Sequence, residues 1–393
     1  MSPLKISWKS IWSKPLSSAL NVILVAFGTG ILTILLLASS QISDKLNNNS
    51  KDIDLVVGAK GSPLQLILSS IYYIDFPTGN IPQREADQLA HNPWVKRAVP
   101  LALGDNYNGV RIVGTDSNFT ALYNIKIAEG KFWSEDFETT IGADVARKQR
   151  LKVGDTFYGA HGLTGSTDVH KAHAYIVSGI LKPQRNVTDN LILTNISSVW
   201  KMHASEDEHT HDKAKIITET PEIEDREITT LLIQYRSPMA VVMFPRMVNQ
   251  STNLQAASPA QESTRLFSLI GVGIETLQWF AILIMLIASI SVFVNLYNSL
   301  KERSYDLAIM RTLGASRGKL FSIVIIEGVL LTLVGTIFGI AFGHIAIGVI
   351  SHFQESSQAK LDGNIFLVEE LYLLIAGIAI GIFAAIIPAL QAY

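Results

Sequence analysis

Four stretches of the chain contain no Asp, Glu, Lys or Arg for longer than the roughly 20 residues a helix needs to cross a hydrocarbon core. They run from Pro15 to Ser43, Thr276 to Leu300, Gly328 to Gln354 and Leu371 to Tyr393. Between the first two lies a long polar region, about Asp44 to Arg265, with most of the charge and all but two of the nine histidines. The pattern predicts a membrane α-helical protein with four transmembrane helices and one α+β domain inserted between helices 1 and 2. The segments are 1–43 (N-terminus and first span), 44–265 (the polar domain), 266–300 (second span) and 301–319 (a connecting loop). The rest are 320–354 (third span), 355–370 (a short loop) and 371–393 (fourth span).

Within the polar domain, Ile81 to His91 begins with Pro82 and continues with acids, Ala and Leu, which predicts a short helix. Gly109 to Thr115, Asp155 to Gly159, Ala174 to Leu181, Asn190 to Thr194 and Thr229 to Tyr235 are rich in β-formers and bounded by turn residues. Met239 to Asn249 reads as a further helix despite Pro245. Ala204 to Arg226 is dense in charge and lacks periodicity, which predicts an excursion without regular structure. Strands and helices mixed in this way give an α+β domain, with two lobes as one arrangement.

Composition agrees with a membrane protein. Charged residues are only 17% of the 393 and apolar residues 48%, whereas soluble chains carry about a quarter charged. There is no cysteine, which excludes disulfides, thiolate metal sites and a thiol nucleophile. A net charge of -2 argues against a nucleic-acid binder, which needs a basic face. Basic residues set the orientation. Lys5, Lys9 and Lys14 precede the first span, and Lys301, Arg303, Arg311, Arg317 and Lys319 lie between the second and third. Both termini are therefore expected in the cytoplasm, with the large domain and the last short loop outside. The first uncharged run exceeds a signal-peptide core of about 7 to 15 residues, so it is read as an anchor.

Gly335, Gly339 and Gly343 recur every four residues of the third span, the spacing of a close-packing helix face. Glu327 and His344 are ionisable residues of the same span. No second acid or base lines up with them in the neighbouring spans, so Glu327 is expected at an interface within reach of water. In the polar domain, His203, His209 and His211 stand among acids, and His161, His170 and His173 form a second group. Imidazoles among carboxylates are ligands for Zn²⁺ or a similar cation. The spacing matches no closed structural zinc motif, and a solvated loop is the other account of the same residues.

No phosphate-binding loop, nucleophile elbow or H-E-x-x-H pair occurs in the chain. The chain itself is therefore not expected to be an enzyme. The most informative segment is Lys301 to Lys319. As a helix it places Leu307, Ile309, Met310 and Leu313 on a broad apolar stripe, with Glu302, Arg303, Asp306 and Arg311 polar. Gly314 is expected to end it in a left-handed cap, and such a helix suits the membrane interface or a groove on a cytoplasmic partner.

The run Glu302, Arg303, Asp306, Ala308, Ile309, Met310, Arg311, Leu313, Gly314, Ala315 and Ser316 resembles the E-R-x-x-E-x-A-I-L-R-x-L-G-A-S loop of FtsX/MacB-type ABC transporter permeases. Asp306 stands where the family has Glu. Gly130-Lys-Phe, Ile141-Gly-Ala-Asp-Val-Ala, Leu151-Lys-Val-Gly-Asp155 and Ile176-Val-Ser-Gly-Ile-Leu181 resemble the MacB-type periplasmic core domain. The layout of one span, a large domain and three spans is similar too.

That resemblance implies a permease subunit of the bacterial inner membrane, paired with a second copy of itself or a homologous permease. Because the chain begins just before its first span, ATP and Mg²⁺ are expected on a separate ABC ATPase subunit, with no cofactor on this chain beyond the zinc question. It assigns ATPase coupling to Glu302, Arg303, Asp306, Leu307, Met310, Arg311, Leu313 and Gly314. Two functions follow from it. One is export or release of a lipid-like, lipoprotein, peptide or drug substrate. The other is mechanical activation, without transport, of a periplasmic partner such as a cell-wall hydrolase, with a zinc-linked function as an addition to it.

Overall fold

The computed structural model describes residues 3–162, 173–210, 226–353 and 360–392, and of 204–210, 306 and 392 the backbone alone. Two helices open the chain, α1 (Pro3–Ser13) and α2 (Pro15–Asn49). Next come β1 (Leu55–Ala59), α3 (Pro63–Ser70), β2 (Ile81–Pro82), α4 (Gln83–Ala90), β3 (Val95–Tyr107), β4 (Val110–Thr115) and α5 (Ser117–Leu122). They are followed by β5 (Ile127–Gly130), β6 (Glu138–Ile141), α6 (Ala143–Gln149), β7 (Thr156–Phe157), β8 (Ala160–His161) and β9 (Tyr175–Leu181). Then come β10 (Ile192–Asn195), α7 (Ile196–Thr210), β11 (Glu227–Ile228), β12 (Thr230–Tyr235), α8 (Ala240–Ser251) and β13 (Leu254–Ala257). The chain closes with α9 (Pro259–Glu302), α10 (Ser304–Thr312), α11 (Arg317–Phe353) and α12 (Glu370–Ala392).

Helices α2, α9, α11 and α12 are long and apolar enough to cross a membrane. Helices α2, α9 and α11 outrun the uncharged stretches that announce them. At about 1.5 Å per residue the 44 residues of α9 reach about 66 Å, roughly twice a hydrocarbon core. Helical hydrogen bonding does not stop where the apolar run stops, so charge alone marks the span and not the helix end.

The helical unit is held by small residues and short polar contacts. Val25 of α2, Ala288, Val292 and Leu296 of α9, and Ala384 and Ala385 of α12 form its buried apolar cluster. Between α2 and α9, Ser17 donates to the Asn295 side chain at 2.8 Å and Ser291 to that of Asn21 at 2.7 Å. Such bonds hold helices together where lipid removes the hydrophobic drive between them.

The other unit, Asp44–Phe267, is an α/β domain on one mixed sheet of eleven strands. Its strand order is β13-β1-β12-β3-β4-β10-β6-β9-β5, with β7 on β9 and β8 on β3. The pairs β10–β4 and β6–β9 are parallel and the others antiparallel. One apolar cluster lies under β1, β12 and β13 with α4 and α8. A second lies under β6, β9 and β10 with α6.

One expectation for this domain is corrected. Residues 204–210 are the last turns of α7 and not an irregular excursion. The helix is seated by Val199 and Met202, both buried. The remainder of that tract, 211–225, lies outside the described residues. The 13-residue β3 was not foreseen, because Pro100 and Gly104 interrupt its β pattern. Pro100 lies past the end of β4 in the β3–β4 register, and the bulge between Leu103 and Asn106 takes up Gly104.

Candidate functional site

Segment Lys301 to Lys319 comprises the last turn of α9, the separate helix α10 and the start of α11. Arg303, at φ -97° and ψ 10°, breaks the first junction. The second is a full Schellman motif. Ala315 N–H donates to the Met310 carbonyl at 2.9 Å, Gly314 N–H to that of Arg311 at 3.1 Å, and Gly314 has φ +93°. Leu307 and Met310 are half-buried, whereas Tyr305, Ile309 and Leu313 are exposed, Leu313 at 82%. The apolar stripe is thus split, one part inward and one part open. Beside it lies a groove of about 610 Å³ lined by Tyr297, Lys301, Leu307, Arg311, Leu320 and Gln391. Glu302 forms an ion pair with Lys14, and only the backbone of Asp306 is described.

Behind α10, the sequence expectation for Glu327 is corrected. Its side chain is buried. Ser10 of α1 donates to Glu327 Oε1 at 2.6 Å, and Arg303 Nη1 lies 3.9 Å from Oε2. Arg303 also donates to Ser13 Oγ at 2.9 Å, and Ser7 to the Ile323 carbonyl at 2.8 Å. A buried carboxylate is tolerated only when paired and hydrogen-bonded, and α1 supplies the bond. Sequence reasoning used this flank only for its charges; Trp8 and Trp12, one helical turn apart, are the signal that it forms a helix. Ser10→Ala is expected to cost about 1.5–3 kcal/mol, read as a lowered Tm of the purified protein in detergent.

Gly335, Gly339 and Gly343 lie on the face of α11 that meets α2. A Cβ on each would fall 2.7 Å from Val25 Cβ, 2.6 Å from the Ala26 carbonyl oxygen and 2.7 Å from Thr33 Cβ respectively. Gly381 of α12 is as tight, with a Cβ there 2.8 Å from Val329 Cα. His344 does have an acidic neighbour, contrary to the sequence expectation. Its Nε2 lies 3.0 Å from Glu370 Oε2 and its Nδ1 2.7 Å from the Gly363 carbonyl. Glu370 opens α12, next to the uncharged run and outside it, which is why a search of the spans passes over it.

In the α/β domain the two histidine groups are represented by three described side chains. His161 lies on β8 and His203 on α7, their rings stacked with centroids 5.2 Å apart. Both approach Asp105 of β3, with His161 Nδ1 at 3.4 Å and His203 Nε2 at 3.7 Å from Oδ1. His173 lies apart from them, stacked on Phe137 at 4.5 Å. His170 and His211 are outside the described residues, as is the side chain of His209. Asp105 escaped sequence reasoning. Its one signal is Gly104-Asp105-Asn106, turn formers inside a β run, which marks a bulge.

Residues 279–393 match the family FtsX-like permease C-terminal, and residues 18–242 match MacB-like periplasmic core domain. Among solved structures, the periplasmic region of MacB from Actinobacillus actinomycetemcomitans aligns at 9% identity and a TM-score of 0.35, over 56% of this chain and 97% of its own. The extracellular domain of the noncanonic ABC-type transporter YknZ from Gram-positive bacteria aligns at 11% identity and a TM-score of 0.31, over 52% and 99%. No curated protein matches the chain.

Proposed function

The chain belongs to the FtsX/MacB-type ABC transporter permeases, multi-pass proteins of the inner membrane, and from that membership we propose that it transmits the stroke of a separate cytoplasmic ATPase to its large outer domain. The observation that carries the reading is α10: a short helix, capped at its C-terminus, with Tyr305, Ile309 and Leu313 exposed beside an open groove. An amphipathic helix beside a groove is a docking element. The basic residues around it favour the cytoplasmic side, and an odd number of spans separates it from the α/β domain. Two permease subunits and two ATPase subunits form the working assembly, and the driven step is export or release of a lipid-like, lipoprotein, peptide or drug substrate.

One observation favours the alternative, in which nothing crosses and a periplasmic partner such as a cell-wall hydrolase is switched. Asn21, Asn295 and His344, polar groups of the spans, are bonded within the helical unit.

Because the chain has no cysteine, a single thiol can report on α10. Leu313→Cys is expected to cross-link to the ATPase subunit in a nucleotide-dependent way, and to resist a membrane-impermeant maleimide in intact cells. Labelling from outside would overturn the reading.

A further inference from the structure

We propose that Asp105, His161 and His203 form a binding site for one divalent first-row cation, of which Zn²⁺ is the test ion. The proposal is independent of the coupling reading, because it concerns the α/β domain by itself.

The three donors come from different elements and are brought together by the fold. Asp105 sits in the β3 bulge, where three steps along β3, from Leu103 to Asn106, match two along β4, from Val113 to Arg111. A bulge re-aims side chains, and here it leaves the Asp105 carboxylate inside the domain at 1% exposure. His161 is registered directly opposite Asp105 by the β3–β8 pairing. The next residue, Asn106, fixes that pairing. Its buried side-chain amide donates to the carbonyls of Ala160, His161 and Gly162 at 3.1, 3.3 and 2.8 Å, and Gly162 N–H returns a bond to the Gly104 carbonyl at 2.9 Å.

His203 is placed by α7. Gly114 of β4 lets that helix approach, since a Cβ there would fall 2.6 Å from Val199 Cγ2. The site therefore has held ligands, and both imidazoles are partly exposed.

One ligand atom from each residue lies within 4.8 Å of the other two. Ligands at about 2.0–2.1 Å around a tetrahedral Zn²⁺ stand about 3.3 Å apart. The observed separations of 3.4 and 3.7 Å from Asp105 Oδ1 need only a small contraction. Two imidazoles and one carboxylate are the donor set of open zinc sites, with the fourth position left for water or another ligand. A structural role for the same groups is a pair of histidines flanking a buried carboxylate. That account predicts no metal affinity, which makes the two separable.

The experiment uses the full chain in lipid nanodiscs, dialysed against buffered Zn²⁺, with bound zinc counted by atomic emission. Wild type and a variant carrying His170→Gln, His173→Gln, His209→Gln and His211→Gln are expected to bind one ion per chain. His161→Gln with His203→Gln is expected to weaken binding at least tenfold. Equal binding by that double variant, loss in the four-residue variant, or wild-type affinity no tighter than roughly micromolar would each overturn the site. Should the double variant fail to fold, wild type loaded with Co²⁺ decides. Intense visible bands of tetrahedral N/O coordination, weakened by the near-isosteric Asp105→Asn, support it, and a weak octahedral spectrum refutes it.

Discussion

Stimulation of the partner ATPase by the permease is expected to fall at least tenfold when Asp306, Leu307 and Arg311 are replaced together by alanine, with insertion and abundance of the chain unchanged. Leu307 and Arg311 line the groove beside α10, and an apolar anchor with a neighbouring Arg is the kind of contact that dominates a docking interface. Losing two such contacts at about 1–2 kcal/mol each exceeds the roughly 1.4 kcal/mol that a tenfold change in affinity represents. Folding is affected less, because Arg311 is exposed and Leu307 only half-buried. The measurement is ATP turnover by the purified ATPase with wild-type or variant permease in nanodiscs. Undiminished stimulation would reduce α10 to a connector between two spans.

Gly130→Ala is expected to destabilise the α/β domain by about 2–5 kcal/mol, enough to remove most of the folded protein from the membrane. Two costs combine. Gly130 has φ +76°, where a side chain costs about 1–2 kcal/mol. A Cβ there would also strike the Ser178 carbonyl and lie 2.9 Å from Gly179 Cα, so strands β5 and β9 would have to separate, adding about 1–3 kcal/mol. Gly109→Ala is the control: its φ of +78° is as unusual but a Cβ there meets nothing, so only the first cost applies. Comparing the two by thermal melting in detergent isolates the steric part. Equal losses would show that the β5–β9 approach is not tight.

The same glycine shows how far the sequence could be read. Gly130-Lys-Phe was recognisable as part of a family pattern, but only the strand pairing explains why a side chain is excluded there. The four spans were visible because lipid imposes a length and a composition on each of them. Strands carry no such requirement. β3 was hidden by Pro100 and Gly104, residues that usually end strands and here fall past a neighbour's end and in a bulge. Asp105 and its meeting with His161 and His203 were hidden for another reason: residues from β3, β8 and α7 converge only through sheet register and helix packing, which no spacing along the chain encodes. Glu327 was misjudged because its partner, Ser10, belongs to a helix announced by neither charge nor length.

The two bonds that close α10 onto Ala315 and Gly314 have a kinetic and entropic meaning. A segment whose last carbonyls are already satisfied arrives at its receptor in final form, so complex formation loses little chain freedom and more of the contact energy appears as affinity. Under the proposed coupling, a handle of this kind would also pass on displacement without first absorbing it in coiling and uncoiling.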